Sequence, residues 1–186
     1  IKQFMKNINL LDCTLRDGGY YNNWDFPIDL IEDYLKSLSE SGVKFIELGF
    51  RSINSKNYMG PCAYTKDSFI ESLKIPKNID IGVMINASEI LSNHMSKKDF
   101  VNFSVGKNKS KISFIRFACH FNEVEKILPY INLLKKEKIK IMLNLMQITE
   151  RNSSEIEKIS KKISKSNVDV LYFADSTGSL NSKNTI

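Results

Sequence analysis

Arg16 and Asp17 stand side by side in the run Thr14-Leu15-Arg16-Asp17-Gly18-Gly19-Tyr20, and Glu47 sits in a second β-rich run, Lys44-Phe45-Ile46-Glu47-Leu48-Gly49-Phe50. A planar, permanently charged guanidinium beside a carboxylate is matched to an oxyanion held on a metal ion. The same two residues also make a plain ion pair at a loop, and their types alone leave both readings open. Strict strand alternation would send Arg16 and Asp17 to opposite faces. The glycine pair behind them is expected to let the chain leave the strand with unusual backbone angles, turning both into one site.

Further polar groups fall where later β-rich runs end. His120 closes one run, Asn144 and Gln147 lie in the next, and Asp175 and Ser176 end the last. His120 reads either as polar lining of a site or as a structural hydrogen-bonding residue. Asn144 and Gln147 either line a pocket or satisfy neighbours at a rim. His94, in the polar stretch Ser92-Asn93-His94-Met95-Ser96, reads as a surface residue.

Six β-rich runs carry these groups, at about 8–16, 44–50, 79–86, 111–119, 138–147 and 168–175. They start about 32 residues apart, the length of one βα unit. Between them lie stretches with helical spacing: Ile28-Ile31-Tyr34-Leu35-Leu38, Val124-Ile127-Leu128-Ile131-Leu134, and Ile156-Ile159-Ile163. Alternating strands and helices predict an α/β protein with a parallel sheet. No GxGxxG follows the first strand, as a dinucleotide-binding sheet would need. The expected fold is therefore a (β/α)₈ TIM barrel of which about six βα units are present. Two further units would bring the total to about 250 residues. Residues 1–186 are accordingly expected to be the N-terminal part of one barrel domain, truncated before its last two βα units.

Splitting each run by alternation leaves one register apolar in nearly every case, as in Ile46-Leu48-Phe50 and Ile141-Leu143-Leu145. The other register gathers charge and amide toward the carboxyl ends of the strands, where barrel enzymes hold their chemistry. Burying such groups without partners costs several kcal/mol. This pattern argues for an enzyme without any appeal to relatives.

Composition narrows the class further. The net charge is +6, but only four residues are arginine (Arg16, Arg51, Arg116, Arg151) and the excess is scattered lysine, which argues against nucleic-acid binding. Mean hydropathy is −0.25 and no apolar run reaches membrane-spanning length. Three cysteines with no CxxC pair fit reduced thiols, and the expected location is the cytoplasm. Residues 51–62 form a polar loop that reads equally as a lid or a connector. Trp24 and Phe26 are expected to pack under the first long helix, with Pro27 at its start.

TLRDGG at the first strand, IELGF at the second, and Asp12 five residues before Asp17 resemble the DRE-TIM metallolyases. IRFACHFNEVEKI and LYFADSTGSL are most similar to the 4-hydroxy-2-oxovalerate aldolase branch. The resemblance covers essentially the whole chain. It implies a carbon–carbon lyase that makes or cleaves a 4-hydroxy-2-oxo acid through a pyruvate enolate. Asp17 would ligate Mn²⁺ or Mg²⁺, Arg16 would stabilise the enolate, and Glu47 would orient Arg16 or a metal-bound water. Ser176, beside Asp175, would touch the pyruvate carboxylate.

Two departures stand against the family pattern. The His-x-His pair expected on a seventh strand is absent, which truncation explains. The histidine base expected a few residues after Arg-Asp is replaced by Gly19-Tyr20-Tyr21, leaving Tyr20 or Tyr21 acting through a water, or His120, as candidates. Two other readings stay open: a Claisen-type acyl-CoA condensing enzyme, and a non-catalytic barrel acting as scaffold or regulatory domain. The expected partner is a small 2-oxo acid, with neither nucleic acid nor membrane, and with room for a homo-oligomer.

Overall fold

A computed structural model of the chain describes residues 9–53, 57–106 and 110–181. The strands are β1 (Leu11–Asp12), β2 (Phe45–Phe50), β3 (Asp80–Asn86), β4 (Phe114–Cys119), β5 (Lys140–Leu145) and β6 (Val170–Phe173). Their order in the sheet follows the chain, and β1–β2, β2–β3 and β5–β6 pair in parallel. Each of the six expected β runs contains one strand, with helical segments between them. That is the (β/α) repeat read from the period.

The chain divides into two compact units, one built on residues up to 84 with the short segment before Ile115, the other on the remainder. In the N-terminal unit, α1 (Thr14–Gly18) follows β1, α2 (Ile28–Glu40) joins β1 to β2, and α3 (Pro61–Tyr64) and α4 (Asp67–Ser72) join β2 to β3. Ile31 and Leu35, one helical turn apart, are fully buried, as are Ile46 and Leu48 of β2. Removing each such side chain from water contributes roughly 1.5–3 kcal/mol. Ile28, at the edge of the same apolar stripe, stays half exposed.

The expectation for 8–16 needs correction, for the strand proper is only Leu11–Asp12 and the Thr-Leu-Arg-Asp-Gly run is a helical turn. The Asp12 carboxylate accepts the Thr14 N–H (3.0 Å) and the Thr14 hydroxyl (3.0 Å). It thereby satisfies a donor that would otherwise be orphaned at the helix start. Ile8, counted in the predicted run, lies outside the described residues.

In the C-terminal unit, α5 (Ala87–Ser92) and α6 (Lys97–Val105) precede β4, α7 (Val124–Ile131) follows it, and α8 (Ser153–Ile163) joins β5 to β6. Its core sets Phe100 of α6 against Phe117 of β4 (6.2 Å between rings), with Ile127, Ile131, Ile141, Leu143 and Leu145 all fully buried. The periodicity through Leu134 predicts one continuous helix. The α-helix instead ends at Ile131, and a 3₁₀ segment, Asn132–Lys136, carries Leu134 into the core. Asn152 starts α8 with a reciprocal cap, accepting the Glu155 N–H (3.0 Å) while the Glu155 carboxylate accepts its own N–H (3.1 Å). No helix among the described residues is long and apolar enough to cross a membrane.

Candidate active site

Because Thr14–Gly18 is helical, Arg16 and Asp17 project from adjacent positions of one turn, and their side chains meet. Arg16 Nη1 lies 2.7 Å from Asp17 Oδ1, and Nη2 donates to Oδ2 at 3.1 Å. Arg16 Nε donates to Glu47 Oε1 from β2. The three expected residues therefore form one cluster. Their exposure differs sharply: the side chain of Glu47 is 0% accessible, that of Arg16 13% and that of Asp17 62%. Burial works against the Arg16 charge, but the Glu47 and Asp17 carboxylates outweigh it and hold the guanidinium above its ordinary pKa.

The glycine pair works differently from the sequence expectation. Gly18 and Gly19 both have ordinary helical angles, with φ of −64° and −60°. Gly19 is needed for space, since a Cβ there would lie 1.9 Å from Cδ1 of Trp24. The Trp24 indole fills that gap, donates from Nε1 to the Arg16 carbonyl (2.8 Å), and packs on Phe50 (5.6 Å) and Tyr20 (4.7 Å). The Arg16 guanidinium in turn lies over the Phe50 ring at 5.6 Å. Trp24 thus packs against the Arg16 turn. It was missed as a site-forming residue, and no local signal marks it.

Asn23 and Trp24 both adopt φ of +56°, uncommon for an asparagine and strained for a tryptophan. Such residues persist only where surrounding contacts over-determine them. Here the Gly60 N–H donates to the Asn23 carbonyl (2.7 Å) and the Cys62 N–H to that of Trp24 (3.3 Å). Gly49 lets this second segment approach β2, because a Cβ on it would fall 1.9 Å from the Cys62 carbonyl oxygen. Of the loop expected as lid or connector, residues 54–56 lie outside the described residues. Tyr58 donates to Asp25 (2.9 Å), and residues from Pro61 onward form α3.

Tyr20 is 65% exposed and Tyr21 94%. Asp12 accepts the Tyr34 hydroxyl (2.9 Å) besides its bonds to Thr14, so its carboxylate is taken up by local structure. Burial pushes the Cys62 and Cys119 thiols up to about 12, leaving both unreactive at neutral pH.

The remaining expected residues belong to the C-terminal unit. His120 is exposed at the end of β4, and its Nδ1 lies 3.0 Å from Gln147 Oε1. The Gln147 N–H donates to Ser176 Oγ (3.3 Å). Three successive strand ends are thus tied together, by a side-chain contact between the first two and a backbone-to-hydroxyl bond between the last two. Asn144 stands opposite Tyr172 in the β5–β6 register, partly buried. The Asp175 carboxylate accepts the N–H groups of Leu180 (2.7 Å) and Ser179 (3.0 Å), which hold it below the usual carboxylate range. His94 is exposed on its helix-terminal turn, as expected. Arg116, buried in β4, faces the Tyr172 ring at 5.3 Å.

For a divalent cation, the Asp17 carboxylate is a hard oxygen donor with solvent access, and Mg²⁺-type sites take one or two carboxylates with waters and substrate oxygens. It fits as one ligand. Among the described residues no group of three or more His, Cys, Asp or Glu side chains is placed to hold a metal by itself.

The oxaloacetate decarboxylase of Mycobacterium tuberculosis is 20% identical over 171 residues, covering 91% of this chain and 48% of that protein. The N-terminal domain of a candidate aldolase from Bacteroides vulgatus matches with a TM-score of 0.71 and 27% identity, over 95% of this chain and 57% of that one. Hydroxymethylglutaryl-CoA lyase from Pseudomonas aeruginosa gives a TM-score of 0.65 at 10% identity, over 95% and 60%, a likeness of fold alone. No protein-family model matches the chain. The chain spans about half the length of the curated relative it matches.

Strand order and these likenesses together define part of a (β/α)₈ barrel. Within that class, the sequence likeness to the mycobacterial decarboxylase and the Bacteroides aldolase agrees with the DRE-TIM metallolyase resemblance of the motifs.

Proposed function

We propose that the chain carries part of a divalent-metal-dependent carbon–carbon lyase that generates pyruvate enolate from a 4-hydroxy-2-oxo acid. The observation that carries this reading is the graded cluster, in which buried Glu47 pins the Arg16 guanidinium and Asp17 stays open to solvent. Breaking the C3–C4 bond leaves its electron pair on the 2-oxo oxygen as an oxyanion. A pre-oriented cation that cannot lose its proton stabilises that charge without reorganising. Glu47 orients Arg16, and Asp17 supplies an oxygen ligand. When bound, Mn²⁺ or Mg²⁺ would supply Lewis acidity to the substrate.

In this reading Tyr20 and His120 handle protons, and Asn144, Asp175 and Ser176 serve the substrate. The contribution of Asp175 is to fold the turn that carries Ser176, because its carboxylate is already engaged by backbone N–H groups.

Decarboxylation of a 2-oxo diacid is a second reading, favoured by the Gly18-Gly19-Tyr20 segment where a histidine base was expected and by the activity named for the mycobacterial relative. Loss of CO₂ leaves the same enolate and needs no base to take a hydroxyl proton.

The test is pyruvate release by the full-length protein with Mn²⁺, from 4-hydroxy-2-oxo acids and from oxaloacetate, with and without chelator. Aldehyde as co-product marks the aldolase, and CO₂ alone marks the decarboxylase. A requirement for a CoA ester would transfer the assignment to Claisen chemistry, and no turnover of any substrate to a scaffold. Asp17→Asn is expected to abolish turnover. Activity indifferent to that change or to chelator would overturn the metal-dependent reading.

A further inference from the structure

The carboxyl ends of β4 and β5 border a cleft of about 250 Å³, lined by His120, Phe121, Asn122, Glu123, Met146, Gln147 and Arg151. The charged groups around it are fixed by other contacts. Glu123 accepts the backbone N–H of His120 (2.9 Å), and Arg151 stacks on Phe121 at 4.9 Å with Glu155 3.8 Å away. The one imidazole in the cleft has its Nδ1 against Gln147 Oε1 at 3.0 Å. An amide oxygen only accepts, so at this contact Nδ1 must carry the proton. In a neutral imidazole the other nitrogen then keeps its lone pair.

Gln147 itself sits in the left-handed region, with φ of 56° and ψ of 42°, uncommon for a residue other than glycine. Its N–H, turned out of the β5 ladder, is taken by Ser176 Oγ (3.3 Å). The backbone at this position is bent in the way that presents the Gln147 side chain to the end of the neighbouring β4.

We propose that Gln147 is a positioning residue that holds His120 as its Nδ1–H tautomer, so that the cleft offers a bare Nε2 as proton acceptor for a substrate hydroxyl. The tautomer stands on the geometry alone; the identity of the proton rests on the lyase reading. In aldol cleavage the 4-hydroxyl proton passes to Nε2 as the C3–C4 bond breaks and the aldehyde forms. The same proton returns to C3 of the enolate to give the methyl group of pyruvate, so atoms and charge balance with no further reactant.

Nitrogen-15 NMR of the full-length protein, with the His120 signals identified by their loss in His120→Gln, reads the tautomer directly. The expected result, at alkaline pH, is a protonated-type Nδ1 and an unprotonated-type Nε2. Gln147→Gly keeps the left-handed backbone accessible while deleting the amide, and should move His120 toward the Nε2–H form that free imidazole favours in water. Gln147→Glu keeps an acceptor at the same reach and should retain Nδ1–H. Where pyruvate release is established, Gln147→Gly should lower kcat about tenfold with KM little changed, and Gln147→Glu should restore most of it. A wild-type Nε2–H tautomer, or a spectrum unmoved by Gln147→Gly, would overturn the proposal. Absence of any pyruvate release would sink the lyase reading and leave the tautomer to be decided by the spectrum alone.

Discussion

The N-terminal cluster and the C-terminal cleft both gather polar side chains at strand ends, yet they hold them by opposite means. Around Arg16 the partners are charged and partly buried, with Glu47 fully enclosed and an aromatic wall of Trp24 and Phe50 behind. Around the His120 ring the partner is a neutral amide near solvent, while the nearby Glu123 carboxylate is taken up by the His120 backbone N–H. A buried carboxylate and guanidinium interact strongly but leave a costly charge behind if one is removed. An exposed amide–imidazole bond contributes little to stability and is free to select a tautomer instead. One region fixes a charge, and the other orders a proton.

The largest test of that contrast is Arg16→Met, which takes the guanidinium from beside buried Glu47. It is expected to lower unfolding free energy by about 3 kcal/mol. His120→Ala in the other region should change it by less than about 0.5 kcal/mol. Urea denaturation of the two variants checks the difference, and equal effects would erase the distinction.

Gly19→Ala comes next. The added methyl meets the Trp24 ring at 1.9 Å, and overpacking of that kind costs about 1–3 kcal/mol. Gly18→Ala, with only an ordinary 3.7 Å contact to Phe26, should be neutral by the same measurement.

Asp17→Asn sharpens the division inside the cluster. Its carboxylate is 62% exposed, so stability should move by less than about 1 kcal/mol even though turnover is lost.

The smallest effect is a pH dependence in the C-terminal unit. Bonds from Leu180 and Ser179 hold the Asp175 carboxyl below the usual range, whereas the unfolded chain titrates near pH 3.9. Its contribution is therefore complete above the unfolded value and is lost as pH falls through the lower, folded one. Asp175→Asn should remove that part of the acid limb in thermal melts taken across the acidic range, with little change in its shape near neutrality.

Much of the architecture was legible before any coordinates. Runs such as Phe45–Phe50 and Lys140–Leu145 announce themselves because alternation keeps one register of each apolar, and the spacing of six such runs sets the repeat. The first run misled, because Thr14 and Asp12 form a side-chain cap that apolar patterning does not register. Trp24 was illegible in its role: its backbone angles and its seat on Gly19 depend on Gly60 and Cys62, far along the chain. The His120–Gln147 contact joins residues 27 positions apart and has no local signature.

From the sequence alone came the residue types, their adjacency and the period that brings strand ends to one edge, all of them properties of neighbours along the chain. Tertiary structure alone decided which carboxylate of the Arg16 cluster is sealed from water, which faces it, and which nitrogen of His120 is left bare. Those are questions of dielectric and of hydrogen-bond partners, set by atoms that meet only when distant segments pack.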